Sequence, residues 1–298
     1  MSSQTLTQLV TPRSQAARLS WHPLLRRFLS LLQYALLLAL ALVMLIPFAW
    51  MLGTSLKTQE YILRTPPQLI PDPASTASYS QLLETMPIER MFFNSLLVAV
   101  VGTLGQVLVS AMAAYAFSRL HWKGRDAVFL LYLATMMVPT QVTLIPQFIL
   151  IRELEWVNSY QALILPATFS AFGTFLLRQF FLTLPREIEE AAYLDGATAF
   201  TIFWRIILPL SGPALGTLAV FSFMGLWNSY LWPLFVAREE AYMTLPVGLA
   251  ALQSGPRALT QWNLVMAGAV ITVLPMLLVY LIAQRSFVRG VATSGIKG

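Results

Sequence analysis

The sequence predicts an all-α integral membrane protein with six transmembrane helices and a polar loop, carrying a short helix of its own, between the fourth and the fifth. Three observations support this fold class. Of the 298 residues, 57% are hydrophobic and only 11% are charged. The mean hydropathy of +0.67 is above that of a water-soluble globular chain. Uncharged stretches long enough to cross a bilayer recur six times.

The six stretches are predicted as helices because about 30 Å of hydrocarbon requires about 20 mostly apolar residues whose backbone hydrogen bonds are satisfied internally. Their predicted cores are 30–52, 94–117, 127–149, 158–177, 213–235 and 264–284. The first is too long for the apolar part of a secretory signal, so a retained helix is expected. Pro139 and Pro166 fall inside the third and fourth cores, where each favours a kink.

The basic residues predict the orientation of these helices. Six crossings place both termini on one side, and 13 of the 19 Lys and Arg residues lie in the termini and loops of that side. Cytoplasmic segments carry such an excess, so both termini are predicted to be cytoplasmic. We expect a basic arm at 1–28, a transmembrane domain at 29–285 with its core at 90–285, and a tail at 286–298. The proline-rich segment 53–93 is predicted to be an extended, partly irregular cap outside the bilayer.

The composition excludes several functions. Without Cys, the chain has no thiolate metal cluster, disulfide or Cys nucleophile. Both His residues and all acidic residues lie outside the six cores. This counts against an intramembrane enzyme, which needs paired carboxylates or a nucleophile with a base. It also counts against an ion-coupled secondary carrier, because such a carrier usually places ionisable groups at mid-membrane. The scattered basic residues predict no nucleic-acid partner.

The segment 184–212 is too polar to span a bilayer and predicts a helix over about 185–195. Pro185 suits its first turn, and Gly196 suits a left-handed C-cap. Thr198 is placed to cap a second helical piece that runs toward Pro209. The carboxylates at the helix start are expected to face water or a partner: Glu187, Glu189 and Glu190. The small and apolar residues are expected to make packing contacts: Ile188, Ala191, Ala192 and Leu194.

The same segment carries a motif at fixed spacing. It consists of Glu190-Ala191-Ala192, then Gly196, then Ile206, Leu208 and Pro209. It resembles the cytoplasmic signature of the permease subunits of bacterial ATP-binding-cassette importers of the type I fold, which is E-A-A, three residues, G, nine residues, I-x-L-P. Its place after a predicted fourth helix is the context that such a motif requires.

The resemblance implies that this loop forms a cytoplasmic coupling helix that inserts into a groove on an ATPase. The residues implied in ATPase coupling are Glu190, Ala191, Ala192, Asp195, Gly196, Ile206, Leu208 and Pro209. Glu190 would bond the loop backbone or pair with a basic residue of the ATPase. The alternative is that its carboxylate only complements the helix dipole.

Further segments resemble the sugar-importer permeases of the maltose and glycerol-phosphate group. They are Asn94-Ser95-Leu96, Ala114-Tyr115-Ala116-Phe117, Arg178-Gln179-Phe180-Phe181, Trp227-Asn228, Gln284-Arg285 and Gly295-Ile296-Lys297-Gly298. The resemblance implies import of a carbohydrate or polyol. Glycerophosphate or another small solute is the alternative, although the helix cores contain no Lys or Arg to recognise phosphate.

The resemblance also implies an assembly of several subunits. The chain contains no Gly-rich segment ending in Gly-Lys-Ser/Thr, so ATP and Mg are expected on a separate ATPase and no cofactor on this chain. The resemblance implies a second permease, two ATPase subunits and an extracytoplasmic solute-binding protein, assembled in the lipid of a bacterial inner membrane.

Candidate pathway residues are polar or aromatic side chains within the apolar helices, because a buried amide needs a partner or a water-filled cavity. They are Trp227, Asn228 and Tyr230 in the fifth helix, with Gln141 and Gln147 in the third as weaker candidates. An aromatic face can stack on a sugar ring while amides bond its hydroxyls. The alternative is that these residues join helices or lie in the interfacial aromatic belt.

Overall fold

The computed structural model describes the backbone of residues 23–62, 66, 68–254 and 260–294, and these residues form helices, turns and irregular segments without a strand. Most of the predicted N-terminal arm (1–22) and the end of the tail (295–298) lie outside the described residues. Clustering of contacts divides the chain into two units, 1–50 and 51–298.

The first unit contains most of α1 (Pro23–Ser55). Its side chains from 27 to 50 are all exposed, and most of them are apolar. A helix that is apolar on every side is stable in lipid or in a large protein core. The stretch Arg27–Ser55 is accordingly long and apolar enough to cross a membrane.

The second unit is built entirely from helices in its described part. They are α2 (Gln59–Ile62), α3 (Ala77–Thr85), α4 (Ile88–Ser118), α5 (Arg125–Ala134), α6 (Thr140–Glu153), α7 (Tyr160–Ile164), α8 (Ala171–Thr183), α9 (Glu187–Leu194), α10 (Ala199–Ile202), α11 (Leu208–Leu210), α12 (Gly212–Trp227), α13 (Leu231–Val236), α14 (Leu245–Ala251) and α15 (Trp262–Ser294). Tighter or wider turns join some of them: the 3-10 turns Thr135–Met137 and Leu165–Thr168 and the π-helical turn Phe203–Ile207.

Four candidate membrane spans are continuous, and two further pairs of helices are long and apolar enough only when each bent pair is taken together. The continuous candidates are Arg27–Ser55, Ile88–Ser118, Tyr160–Thr183 and Trp262–Gln284. The bent pairs are Arg125–Met137 with Thr140–Glu153, at 100°, and Ala199–Leu210 with Gly212–Trp227, at 78°. The described residues therefore hold four candidate membrane spans, or six if each bent pair counts as one. A multi-span, all-helical fold was predicted, but the third and fifth predicted spans are not single straight helices.

The breaks have local causes. Val138 is extended, as expected for the residue before a proline, so the helix stops there and α6 begins after Pro139. Pro166 lies in the 3-10 turn between α7 and α8. The fifth predicted core is interrupted because α12 ends at Trp227, and Pro233 has no N–H for the carbonyl of Ser229 to accept from.

α4 lies at the centre of the second unit and packs against α8 and α12. Glycines allow the close approach. A Cβ on Gly105 would lie 2.7 Å from Cγ2 of Thr168, and one on Gly173 would lie 2.6 Å from Oγ of Ser110. Such distances leave no room for a larger residue, so small residues set the spacing of these helices.

Two predicted segments differ from the structure at the edges of this bundle. The segment 53–93 is more regular than expected, since it contains α2, α3 and the start of α4. The predicted tail 286–298 is helical as far as Ser294, because α15 continues past Gln284.

Candidate functional site

The polar loop forms a helix, a reversal and a second helical run. α9 spans Glu187–Leu194, within the predicted 185–195. Gly196 follows with a φ of 81°, the left-handed conformation expected of a glycine that reverses the chain. Thr198 caps α10 as predicted, because its Oγ1 accepts a hydrogen bond from the backbone N–H of Thr201. Local sequence signals thus account for the backbone of the loop.

The second run is anchored in the bundle. Ile202, Phe203 and Ile207 are buried against Leu177 and Phe181 of α8. The motif residues of this run differ in burial. Ile206 and Leu208 are partly buried against the same cluster, and Pro209 is exposed. A loop with buried side chains at several points moves with the helices it contacts.

The first run is held by an ion pair that the sequence did not predict. Glu189 is buried, and its Oε1 lies 2.9 Å from Nε of Arg119, whose side chain is also buried. The expectation that all three Glu residues face water or a partner is therefore wrong for Glu189 and holds for the exposed Glu187 and Glu190. A buried charge needs such a partner. Burial raises the pKa of the Glu189 carboxyl above its ordinary value, and the opposite charges of Arg119 and Arg186 act against that rise.

The outward face of the loop is strongly apolar. Leu194 is 90% exposed and Phe200 is 72% exposed, and Ile188 and Tyr193 are also exposed. Ile188 and Leu194 are therefore exposed rather than buried by the packing contacts predicted for them. Of the other candidates, Ala191, Asp195 and Gly196 are exposed and Ala192 is half-buried in the cluster below. On α9, which lies outside the candidate spans, exposed apolar groups beside carboxylates are typical of a surface that binds a partner, whereas Phe200 belongs to the first helix of a bent candidate pair.

A second site lies where two interruptions between helices come together. A cavity of about 500 Å³ opens between α6 and the segment that joins α12 to α13. Its lining residues are Thr140, Gln141, Leu144, Gln147, Asn228, Ser229, Tyr230, Leu231 and Trp232. Four of the five predicted pathway residues, Gln141, Gln147, Asn228 and Tyr230, therefore line one cavity. Sequence reasoning missed Thr140, Ser229 and Trp232, which are placed there by the breaks at Pro139 and after Trp227.

The cavity lining combines polar and apolar groups and carries no charge. Its lining offers amides, hydroxyls and two aromatic rings, and none of the lining residues is acidic or basic. The Asn228 amide donates to the carbonyl of Met224 at 2.8 Å, and the Trp232 indole donates to the carbonyl of Ala162. No group of acidic or His residues suited to a metal ion occurs in the described part of the chain. Amides and hydroxyls beside aromatic rings can bind a hydroxylated, neutral solute.

Trp227 does not line this cavity. It is 1% exposed, its indole N–H donates to the carbonyl of Thr272 at 3.0 Å, and its ring stacks on Phe223. The contact with Thr272 joins α12 to α15. The structure thus places Trp227 in a helix-joining role, and Asn228 also reaches α15, where its amide donates to Sδ of Met276 at 3.8 Å.

The end of α4 remote from Arg119 carries another buried network. Asn94 is fully buried and donates to the carbonyls of Ala241 and Met243, and it accepts a hydrogen bond from the Tyr160 hydroxyl at 2.7 Å. The Ser95 hydroxyl accepts from the N–H of Leu245. These residues, quoted above for a family resemblance alone, hold the loop that precedes α14.

Comparison with known proteins identifies the family. Residues 106–293 match the family described as binding-protein-dependent transport system inner membrane component. The chain belongs to this family. It is thus a transport permease with several membrane spans. The matched region contains both the α9 loop and the cavity.

Full-length relatives agree with this assignment. The chain is 36% identical over 275 residues to the sn-glycerol-3-phosphate transport system permease protein UgpE of Yersinia enterocolitica, covering 90% of this chain and 98% of that protein. It is 36% identical over 262 residues to the arabinooligosaccharides transport system permease protein AraQ of Bacillus subtilis, covering 87% and 92%.

A solved structure shares the fold. A chain of a bacterial ABC transporter involved in the import of the acidic polysaccharide alginate superposes with a TM-score of 0.78 at 24% identity. The match covers 87% of this chain and 96% of that one.

Proposed function

We propose that this chain is the permease subunit of an ATP-driven, binding-protein-dependent importer of a neutral carbohydrate or polyol. The single observation that carries the substrate class is the cavity beside Pro139, whose nine lining residues include amides, hydroxyls and aromatic rings but no charge. The chain would form half of the pathway with a second permease. Two ATPase subunits would bind ATP and Mg, and a solute-binding protein would deliver the substrate from outside.

The α9 loop would be the coupling helix on the cytoplasmic side. Its apolar face, with Leu194 and Phe200 most exposed, would seat in the ATPase. Glu190, which lies exposed beside it, would meet a basic residue there. The same end of the bundle carries the basic loop after α4, which agrees with a cytoplasmic position and with cytoplasmic termini.

ATPase coupling is tested by substitution of the exposed leucine. Leu194→Glu places a charge in the apolar contact and should abolish recovery of the ATPase with the tagged permease complex from its native host. Leu154→Glu is the matched control, because Leu154 is also exposed and follows α6 at the other end of the bundle. Retention of the ATPase by Leu194→Glu would exclude this face as the docking surface.

A second candidate substrate, glycerophosphate, is favoured by the identity to a permease of an sn-glycerol-3-phosphate transport system. Import by the complex in liposomes distinguishes the two. Wild type should import neutral sugars in preference to sn-glycerol-3-phosphate, and Asn228→Ala should raise the half-saturating concentration. Gln147→Lys, which adds a positive charge to the cavity, should slow import of the neutral solute. Preferred uptake of the phosphate by wild type would refute the neutral substrate.

A further inference from the structure

The arginine at the end of α4 contacts two other helices at once, α8 and α9. Nη2 of Arg119 donates to the carbonyl of Phe181 at 2.6 Å and to that of Leu184 at 2.8 Å, at the end of α8. Its Nε lies 2.9 Å from Oε1 of Glu189 on α9, an ion-pair contact rather than an aligned hydrogen bond. The last carbonyls of a helix have no partner within it and carry partial negative charge, so a guanidinium is well matched to them.

α8 returns a similar contact to α4. Nε of Arg178 donates to the carbonyl of Phe117 at 3.1 Å, and its guanidinium lies 4.2 Å from the centre of the Phe129 ring of α5. Each of the two helices therefore places an arginine on the terminal carbonyls of the other. α4 and α8 are fastened together at this end, and the Arg119–Glu189 pair is their charged link to α9, near the polar contact between Tyr115 of α4 and Tyr193 of α9.

We infer that Arg119, through its pair with Glu189, is the positioning residue that transmits movement of the coupling helix to α4 and α8. This inference rests on the proposed function, since it concerns how the docked loop drives the spans. The apolar contacts of the loop lie in its second run, from Ile202 to Ile207, beyond the reversal at Gly196. α9 itself offers the bundle chiefly Glu189, which is its only buried residue.

The chemistry of the pair explains why it suits this role. Both side chains are almost fully shielded, at 4% and 8% exposure, so water does not replace either partner. A planar guanidinium can serve the carboxylate and both carbonyls in one fixed orientation, which a lysine ammonium cannot. Removing either charge leaves the other buried without its partner, which costs far more than loss of an exposed pair.

The test uses the complete transporter in liposomes and measures substrate imported per ATP hydrolysed. Glu189→Gln and Arg119→Lys should lower this ratio at least about tenfold while the ATPase still co-purifies and still hydrolyses ATP. Glu153→Gln is the matched control: it breaks the exposed Arg152–Glu153 pair and should leave the ratio unchanged.

A second readout separates positioning from general loss of structure. Because the chain has no Cys, spin labels at Glu187→Cys and Val128→Cys report the distance between α9 and α5 in the purified permease without labels at other sites of this chain. The distance distribution should broaden in Glu189→Gln and in Arg119→Lys, and stay as in wild type in Glu153→Gln.

The outcomes are distinct. An unchanged ratio in Glu189→Gln, or loss of the ATPase from that variant, would overturn the inference, because the pair would then be dispensable or would serve docking. A broadened distribution with a lowered ratio supports it. Wild-type complex that lacks an ATPase, or imports nothing with ATP, would instead refute the proposed function.

Discussion

Substitution of Gly196 tests the reversal that presents α9. Its φ of 81° is one that a residue with a Cβ adopts at a cost of about 1–2 kcal/mol. No atom lies within 4 Å of the position a Cβ would take, so Gly196→Ala introduces backbone strain without a clash. That strain would shift the equilibrium of the turn by about 5- to 30-fold. We expect a similar fall in ATPase recovery at limiting ATPase concentration.

The chain provides a matched control for this substitution. Gly124 has a φ of 86° and equally open space around its Cβ position, but it lies between α4 and α5. Gly124→Ala should cost the same stability in thermal unfolding and leave ATPase recovery unchanged. Gly196→Asn should restore part of the loss, because Asn tolerates the left-handed region better than Ala. Equal effects of the two Ala variants on ATPase recovery would refute the reasoning.

Three further predictions concern buried groups. Trp227→Ala should lower the free energy of unfolding by about 3–5 kcal/mol without raising the half-saturating solute concentration, and a raised value would place Trp227 in the pathway. Asn94→Ala leaves two carbonyls without their donor, so proteolysis of the loop before α14 should accelerate, which limited digestion measures. The raised pKa of Glu189 lets the folded chain bind a proton that the unfolded chain has lost. Wild-type stability should therefore fall as pH rises from the ordinary Glu pKa, about 4.3, through the raised pKa. Glu189→Gln should remove that slope from the midpoint of thermal unfolding, and parallel curves would contradict it.

Much of the architecture was predictable because the bilayer imposes it. Apolar length identified the regions of the four continuous candidate spans and of the two bent helix pairs, and Pro139 marked the place where the first of these pairs bends. The reversal at Gly196 and the cap at Thr198 followed from local rules that involve only neighbouring residues. The sequence predicted Gln141 and Asn228 as residues of one pathway. It did not predict the helix interruptions that bring the two residues into one cavity.

The errors arose where neighbours in sequence point in different directions. Glu189 and Glu190 are about 100° apart around α9, so one is buried and the other is exposed. Which is which depends on Arg119, some 70 positions earlier. Trp227 and Asn228 separate in the same way, because the helix ends between them and the tryptophan joins α15. The local sequence pattern cannot predict which distant residues these side chains contact.

α4 is uninterrupted, and it is therefore stiffer than the interrupted helices beside it. Its 31 residues contain no proline and extend about 46 Å, longer than the hydrocarbon layer. Asn94 near one end and Arg119 just past the other therefore belong to a single rigid body. We expect a displacement at the arginine to be carried along α4 to the loop beside α14. We expect the deformation that changes access to the cavity in the broken segments that border it, at Pro139 and between Trp227 and Leu231.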